Sequence, residues 1–85
     1  MLMEDGVEHL GGDLTLANAS RLLAESATAL DENARAFDLS GIGQVDSSAL
    51  SLLLSIRRRR ADAEFRNIPD SLLSLAKLYG VAELI

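Results

Sequence analysis

The stretch from Asp46 to Ile56 has the sequence DSSALSLLLSI and decides how the fold is interpreted. It predicts a helix in which Asp46 or Ser47 is the N-cap, because a short side-chain oxygen can accept a hydrogen bond from an unpaired backbone N–H. At about 100° per residue, one face of this helix is apolar and the opposite face is mainly serine. The apolar face is formed by Ala49, Leu52, Leu53 and Ile56. The opposite face carries Ser47, Ser51, Ser55 and Arg58.

Two leucines, Leu50 and Leu54, flank the serine stripe, and the spacing predicts that they point away from the centre of the core. A helix that served only its own core would carry charges there. The pattern therefore favours a surface that another protein covers, and the alternative is a helix buried on two sides within one small domain. The predicted partner-binding or phospho-acceptor-like residues are Asp46, Ser47, Ser48, Leu50, Ser51, Leu54 and Arg58.

Length and composition limit the class of protein. Eighty-five residues make one domain, 1–85, with 48% hydrophobic residues but only 4% aromatic ones, so the core is built from Leu, Ala, Ile and Val. The net charge of −5 argues against nucleic acid as the main partner. There is no cysteine, and hence no disulfide or thiol chemistry. No signal peptide and no apolar run of about 20 residues is visible, so we expect a cytoplasmic protein.

Strand and helix patterns alternate along the chain. Alternating or short apolar runs predict strands near residues 7–11, 35–39 and 63–67. Helical spacing predicts helices near residues 16–32, 47–60 and 70–79. This order indicates an α/β fold with right-handed crossovers. We expect an open sheet of three to four mostly parallel strands with three main helices.

Local patterns also predict the ends of two helices, one loop and the core-facing side of two helices. Thr15 is a plausible N-cap of the first helix, and Gly80 is a plausible residue just beyond the end of the third. The segment Ser40–Gly43 is expected to be a flexible loop because it contains two glycines. The predicted core stripe of the first helix is Leu16, Ala19, Leu22, Leu23, Ser26, Ala27 and Leu30. The predicted stripe of the third helix is Leu72, Leu75, Ala76 and Tyr79.

Residues that could support catalysis are few. The single histidine, His9, lies in a predicted strand, and no cluster of His, Cys or Asp suggests a metal site. Gly41 and Gly43 could contact a nucleotide, but the rest of a phosphate-binding motif is missing. The arginine run 57–60 could bind phosphate or acidic lipid, although such a run is more often the solvated end of a helix. We therefore expect no catalytic residue, no metal and no cofactor.

The serines at the start of the central helix could carry a phosphate. A phosphate on a hydroxyl there would be stabilised by the helix dipole and repelled by the carboxylate of Asp46. Plain capping of the helix explains the same residues without any modification.

Two segments resemble a known family. Phe37–Ser40 followed by Val45–Leu50 is similar to the signature of STAS domains, the fold of the anti-sigma-factor antagonists. The later run Ser74–Val81 resembles the MlaB-like members, which are STAS subunits of the Mla phospholipid-transport ABC complex. The resemblance extends over nearly all of the chain from Val7.

The resemblance implies a non-enzymatic cytoplasmic accessory subunit that binds the ATPase subunit of an ABC transporter and reaches the inner membrane only through that partner. In the family the motif serine or threonine lies at this contact, and here it corresponds to Ser47. In the antagonist branch the equivalent serine is phosphorylated by an anti-sigma kinase, but this chain has Ala49 where the antagonists have glycine. The alternatives are thus a phospho-regulated antagonist and, from another class, a small nucleotide-binding module.

The N-terminus departs from the family pattern. STAS domains usually begin with an extra strand, and residues 1–5 look too short to form one. Without that strand, the backbone groups of residues 7–10 would form an open sheet edge, and open edges recruit partners. A homodimer joined at this edge is therefore expected to be possible.

Overall fold

The fold is a four-stranded sheet with three helices. The computed structural model describes residues 2–85, and Met1 lies outside the described residues. The strands are β1 (Leu2–Glu4), β2 (Val7–Leu14), β3 (Ala36–Val45) and β4 (Glu64–Arg66). The helices are α1 (Leu16–Asp31), α2 (Ser47–Arg59) and α3 (Asp70–Leu78), followed by a 3₁₀ turn at Ala82–Leu84. The strand order is β1-β2-β3-β4, with β2, β3 and β4 parallel, which confirms the predicted fold class.

The extra N-terminal strand is present, so the expectation that this segment is too short was wrong. β1 pairs antiparallel with β2, placing Leu2 opposite His9. The two-residue turn between them has positive φ at both positions, 53° at Asp5 and 79° at Gly6. These angles fit the tight hairpin turn that Asp-Gly favours. Because β2 is paired on both sides, by β1 and β3, the basis for a homodimer at this edge is removed.

The predicted glycine loop is also wrong, because β3 runs without a break from Ala36 to Val45. Gly41 pairs with Gly11 of β2, and an added Cβ at Gly41 would lie only 3.2 Å from a β2 carbonyl oxygen. A Cβ at Gly43 would lie 2.6 Å from the carboxylate of Asp13. These glycines therefore permit close approach between neighbouring strands, and they do not form a mobile turn.

The core joins the strands to all three helices. The Phe37 and Phe65 rings on adjacent strands are 6.3 Å apart. Leu53 and Ile56 of α2 and Leu72 of α3 are buried in the same cluster. The end of α3 is as predicted: Gly80 has φ 72°, and the N–H of the residue that follows it returns to a carbonyl of α3.

Three apolar side chains predicted to face the core are instead largely exposed. Leu16 is 76% exposed and Leu23 is 47% exposed, both on α1, while Tyr79 at the end of α3 is 58% exposed. The helical spacing gave the correct face approximately, but side chains at its margins project beyond the sheet.

Candidate functional site

The carboxylate of Asp46 connects two helices. One oxygen accepts a hydrogen bond from the Ser48 N–H at 2.8 Å, so Asp46 is the N-cap of α2 as predicted. The other oxygen accepts from the Leu16 N–H at 3.0 Å, at the first residue of α1. Thr15 is the N-cap residue of α1 as predicted, but within the described residues its side chain makes no capping bond. Residue 46 therefore holds the N-termini of α1 and α2 beside each other.

These two bonds also fix the charge of Asp46. The backbone N–H groups of Leu16 and then Ser48 hold the pKa of Asp46 below its ordinary value, because each N–H stabilises the ionised form. The carboxylate remains charged at neutral pH. A phosphate on the neighbouring Ser47 would therefore meet a fixed negative charge.

The outward side of α2 forms a narrow ridge, defined here by Ser47, Ser51, Leu54 and Arg58. Ser47, Ser51 and Arg58 are exposed, whereas Leu54 is partly buried. Leu50 is only 5% exposed and belongs to the core cluster, so the prediction that it points away from the core was wrong. The buried face of this helix is thus wide and its exposed stripe is narrow. That another protein covers this stripe stays a prediction.

A groove of about 350 Å³, the α2–α3 groove, lies along one side of the ridge. It is lined by Ser47, Leu50, Ser51, Leu54, Tyr79 and Val81. The structure thus brings together four residues that the sequence predicted for the site. It adds Tyr79 and Val81, whose proximity to α2 depends on the turn at Gly80 and has no local signal in the sequence.

A second groove, the α1–α2 groove, lies on the other side of the ridge and has a volume of about 290 Å³. It is lined by Leu16, Ala19, Ser20, Leu23, Ser48, Ser51, Leu52 and Ser55. The sequence analysis missed the α1 side of this surface because it assigned Leu16 and Leu23 to the core. Ser51 contacts both grooves, so they meet at the ridge.

The four consecutive arginines do not act as one basic cluster. Arg57 donates to the Leu84 carbonyl at 2.9 Å and its guanidinium lies 4.8 Å from the centre of the Phe65 ring. Arg59 pairs with the carboxylate of Asp31 at 2.8 Å, and Arg60 pairs with that of Asp62 at 3.2 Å.

Within the described residues, Arg58 has no carboxylate partner and makes only a long contact of 3.4 Å with the Ser55 hydroxyl. Arg58 is thus the arginine of this run available to a partner.

The remaining candidate groups lie away from the ridge. Gly41 pairs with Gly11 of β2 and Gly43 lies within β3, so neither is in a phosphate-binding loop. Nδ1 of His9 lies 3.4 Å from the carboxylate of Asp38, a neighbour that sequence spacing did not reveal. Asp38 also accepts hydrogen bonds from the Ser40 N–H and the Asn67 amide. This cluster ties neighbouring strands together.

Among residues 2–85, no group of three or more His, Cys, Asp or Glu side chains is arranged to hold a metal ion. No helix there is both long and apolar enough to cross a bilayer.

Comparison with protein-family models assigns the chain to a family. The sequence model of a protein family described as "Mlab, STAS domain" matches residues 3–85. No curated protein matches the chain.

Proposed function

Because the chain belongs to the MlaB-type STAS domain family, we propose that it is a non-enzymatic accessory subunit of an Mla-type ABC phospholipid transporter. In this proposal it binds the transporter's ATPase subunit and supports its assembly and activity. The protein would then be cytoplasmic and would lie at the inner membrane only through that partner.

The observation that carries the proposal is the ridge of α2. It presents exposed serines beside Leu54 and an arginine with no carboxylate partner among residues 2–85. Small hydroxyls allow a partner backbone to come close, and the leucine supplies apolar surface. A fully buried leucine contributes on the order of 2 kcal/mol.

The chemistry of the ridge favours binding over catalysis. A serine nucleophile needs an adjacent base, and the carboxylate beside Ser47 already accepts two backbone N–H bonds. Its lowered pKa makes it a poor proton acceptor. The same residues suit a contact surface, since they lie along one side of a helix whose first turn is capped by Asp46.

Co-purification with the ATPase subunit tests the proposal. Ser47→Glu should weaken binding, because a charge would be buried without a partner. Leu54→Asp should weaken it for the same reason and by loss of apolar contact. Circular dichroism of the free variants is the folding control. If both folded variants bind like the wild type, the ridge is not the interface.

A second candidate function is that of an antagonist of an anti-sigma kinase. It is favoured by the exposed hydroxyl of Ser47 at the first position of α2. The adjacent Asp46 carboxylate and Ala49, which stands where the antagonists have glycine, both weigh against it. Incubation with an anti-sigma kinase and ATP, followed by intact-mass measurement, discriminates the two: an addition of one phosphate that is lost in Ser47→Ala would favour the antagonist.

A further inference from the structure

Two large apolar side chains on α1 have no cover. Leu16 and Leu23 are 76% and 47% exposed, and both line the α1–α2 groove. They are seven residues apart, so they lie on the same side of the helix, two turns from each other. Contiguous exposed apolar surface on a small protein commonly marks an interaction site.

A stable protein interface needs more surface area than the ridge provides. The chain exposes 4830 Å² in total. A standard interface buries about 800 Å² on each partner, which is about a sixth of that surface. The outward stripe of α2 is only a few side chains wide, so a partner seated on it must extend to one or both sides.

The α1–α2 groove is suited to such an extension. Between its leucines the lining consists of small residues, including Ala19 of α1 and Ser48 and Ser55 of α2. Small side chains let a partner segment approach closely, and the serine hydroxyls can pair with its polar groups. Ser51 borders both grooves, so this surface is continuous with the ridge.

Charge distinguishes the two ends of the surface. At one end, the negative charge of the Asp46 carboxylate is partly offset by the two backbone N–H groups that donate hydrogen bonds to it. At the other end Arg58, without a carboxylate partner among residues 2–85, is free to meet an acidic group. A carboxylate on the partner would complement that end.

We infer that the ATPase subunit straddles α2 and places an amphipathic segment in the α1–α2 groove, with its apolar side against Leu16 and Leu23 and an acidic side chain near Arg58. This inference rests on the proposed function and extends it. The interface then includes α1, and both grooves are filled by one partner.

Two exposed leucines provide a matched test. Leu16 and Leu78 are 76% and 77% exposed, but Leu78 lines neither groove. Binding of purified ATPase subunit to wild type, Leu16→Asp and Leu78→Asp would be measured by titration. Leu16→Asp should weaken binding at least about tenfold, as loss of a central apolar contact does, and Leu78→Asp should stay within about twofold.

A second variant covers the case in which Leu16→Asp does not fold. Leu23→Gln keeps a good helix former on α1 while removing the apolar contact. Arg58→Glu should weaken binding most at low salt, since the contact is charged and screened by ions. Circular dichroism and the melting temperature of each free variant report on folding.

The outcomes separate this inference from the proposed function. Wild-type protein that does not bind the ATPase subunit overturns both. If the wild type binds and Leu54→Asp does not, but folded Leu16→Asp and Leu23→Gln bind like the Leu78→Asp control, the inference about α1 is overturned while the proposed function stands. Loss of binding in folded Leu16→Asp and Leu23→Gln as well as in Leu54→Asp, with the Leu78→Asp control intact, supports the inference.

Discussion

The inner and outer faces of α2 differ in both composition and role. On the inner face, Leu53 and Ile56 are 0% and 1% exposed and pack in the core. On the outer face, Ser47, Ser51 and Arg58 are exposed and have little to pack against within the domain. Burial of the inner face supplies much of the free energy of folding, whereas the outer face can change at little cost to stability. In the proposed function the inner face serves folding and the outer face serves binding, so adjacent residues should report on different properties.

Truncation on the inner face should have the largest effect. Leu53→Ala removes a fully buried side chain and leaves a cavity, so it should lower the free energy of unfolding by about 3 kcal/mol. Urea unfolding followed by circular dichroism measures this loss. The fraction that remains folded should bind the ATPase subunit with unchanged affinity. A loss below about 1 kcal/mol would contradict the assignment of Leu53 to the centre of the core.

The neighbouring Leu54 should behave in the opposite way. Leu54→Asp should weaken binding of the ATPase subunit by more than about tenfold, because the side chain borders the α2–α3 groove and contributes apolar contact area. Its free energy of unfolding should fall much less than that of Leu53→Ala. The comparison is made by isothermal titration and urea unfolding on both variants. A Leu54→Asp variant as unstable as Leu53→Ala would erase the proposed distinction between the two faces.

A buried carboxyl group provides a pH test of the inner layer. Glu8 on β2 is 0% exposed, and within the described residues neither of its carboxyl oxygens has a hydrogen-bond partner. Burial raises the pKa of Glu8 above its ordinary value, and the nearby carboxylates of Glu25 and Glu32 add to the rise. Between the ordinary and the raised pKa, the folded state holds a proton that the unfolded state has lost, so stability falls as pH increases through that interval.

Replacing Glu8 should remove this dependence. In Glu8→Gln, the free energy of unfolding should no longer fall as pH rises above about 4.5, the ordinary pKa of the group. Unfolding by urea at a series of pH values from acid to neutral measures the difference between variant and wild type, which should grow with pH. Parallel pH profiles for the two proteins would show that Glu8 ionises equally in the folded and unfolded states.

It should be possible to remove the hydrogen bond between Asp46 and α1 while keeping the cap of α2. In Asp46→Asn one side-chain oxygen remains, which can still accept from the Ser48 N–H, but the amide that replaces the other oxygen cannot accept from Leu16. We expect faster hydrogen exchange at the Leu16 amide than at the Ser48 amide, measured by NMR. In the folded wild type the pKa of Asp46 is lowered. The stability that its carboxylate contributes should therefore be lost only as the pH falls below the ordinary pKa of an aspartate. Unchanged exchange at Leu16 would mean that the carboxylate does not hold α1.

The smallest effect is expected at Ser47. Asp46 supplies the cap of α2, so Ser47→Ala should change the free energy of unfolding by no more than about 0.5 kcal/mol. Its affinity for the ATPase subunit should fall less than that of Ser47→Glu, because no charge is buried. Thermal melting and titration measure the two quantities. Destabilisation as large as that of Leu53→Ala would place Ser47 in a structural role and remove it from the outer face.

Much of the fold could be predicted because local patterns agree with the tertiary arrangement. The helical spacing of Ala49, Leu53 and Ile56 identified the face that is buried, and Gly80 correctly marked the end of α3. The N-terminal hairpin also had a local signal, the Asp5-Gly6 pair, although residues 1–5 were predicted to be too short for a strand. The error there was one of interpretation.

Other features had no local signal. Whether Gly41 lies in a loop or a strand depends on β2, which approaches closely enough that a side chain there would crowd its backbone. Leu50 and Leu16 are both leucines in the first turn of a helix, yet one is 5% exposed and the other 76%. The difference arises because the sheet and α3 cover one side of α2, while nothing covers the beginning of α1 among residues 2–85.

The sequence by itself determined the alternating order of the three parallel strands and three helices, the buried face of α2, the cap at Asp46 and the family resemblance. Each of these depends on residues a few positions apart, where backbone geometry fixes which side chains share a face. Only the tertiary structure decided that the second oxygen of Asp46 accepts from Leu16, thirty residues away, and that a groove lies on each side of the ridge. Those features depend on how separate helices pack on a common sheet, because packing brings together residues that no local pattern relates.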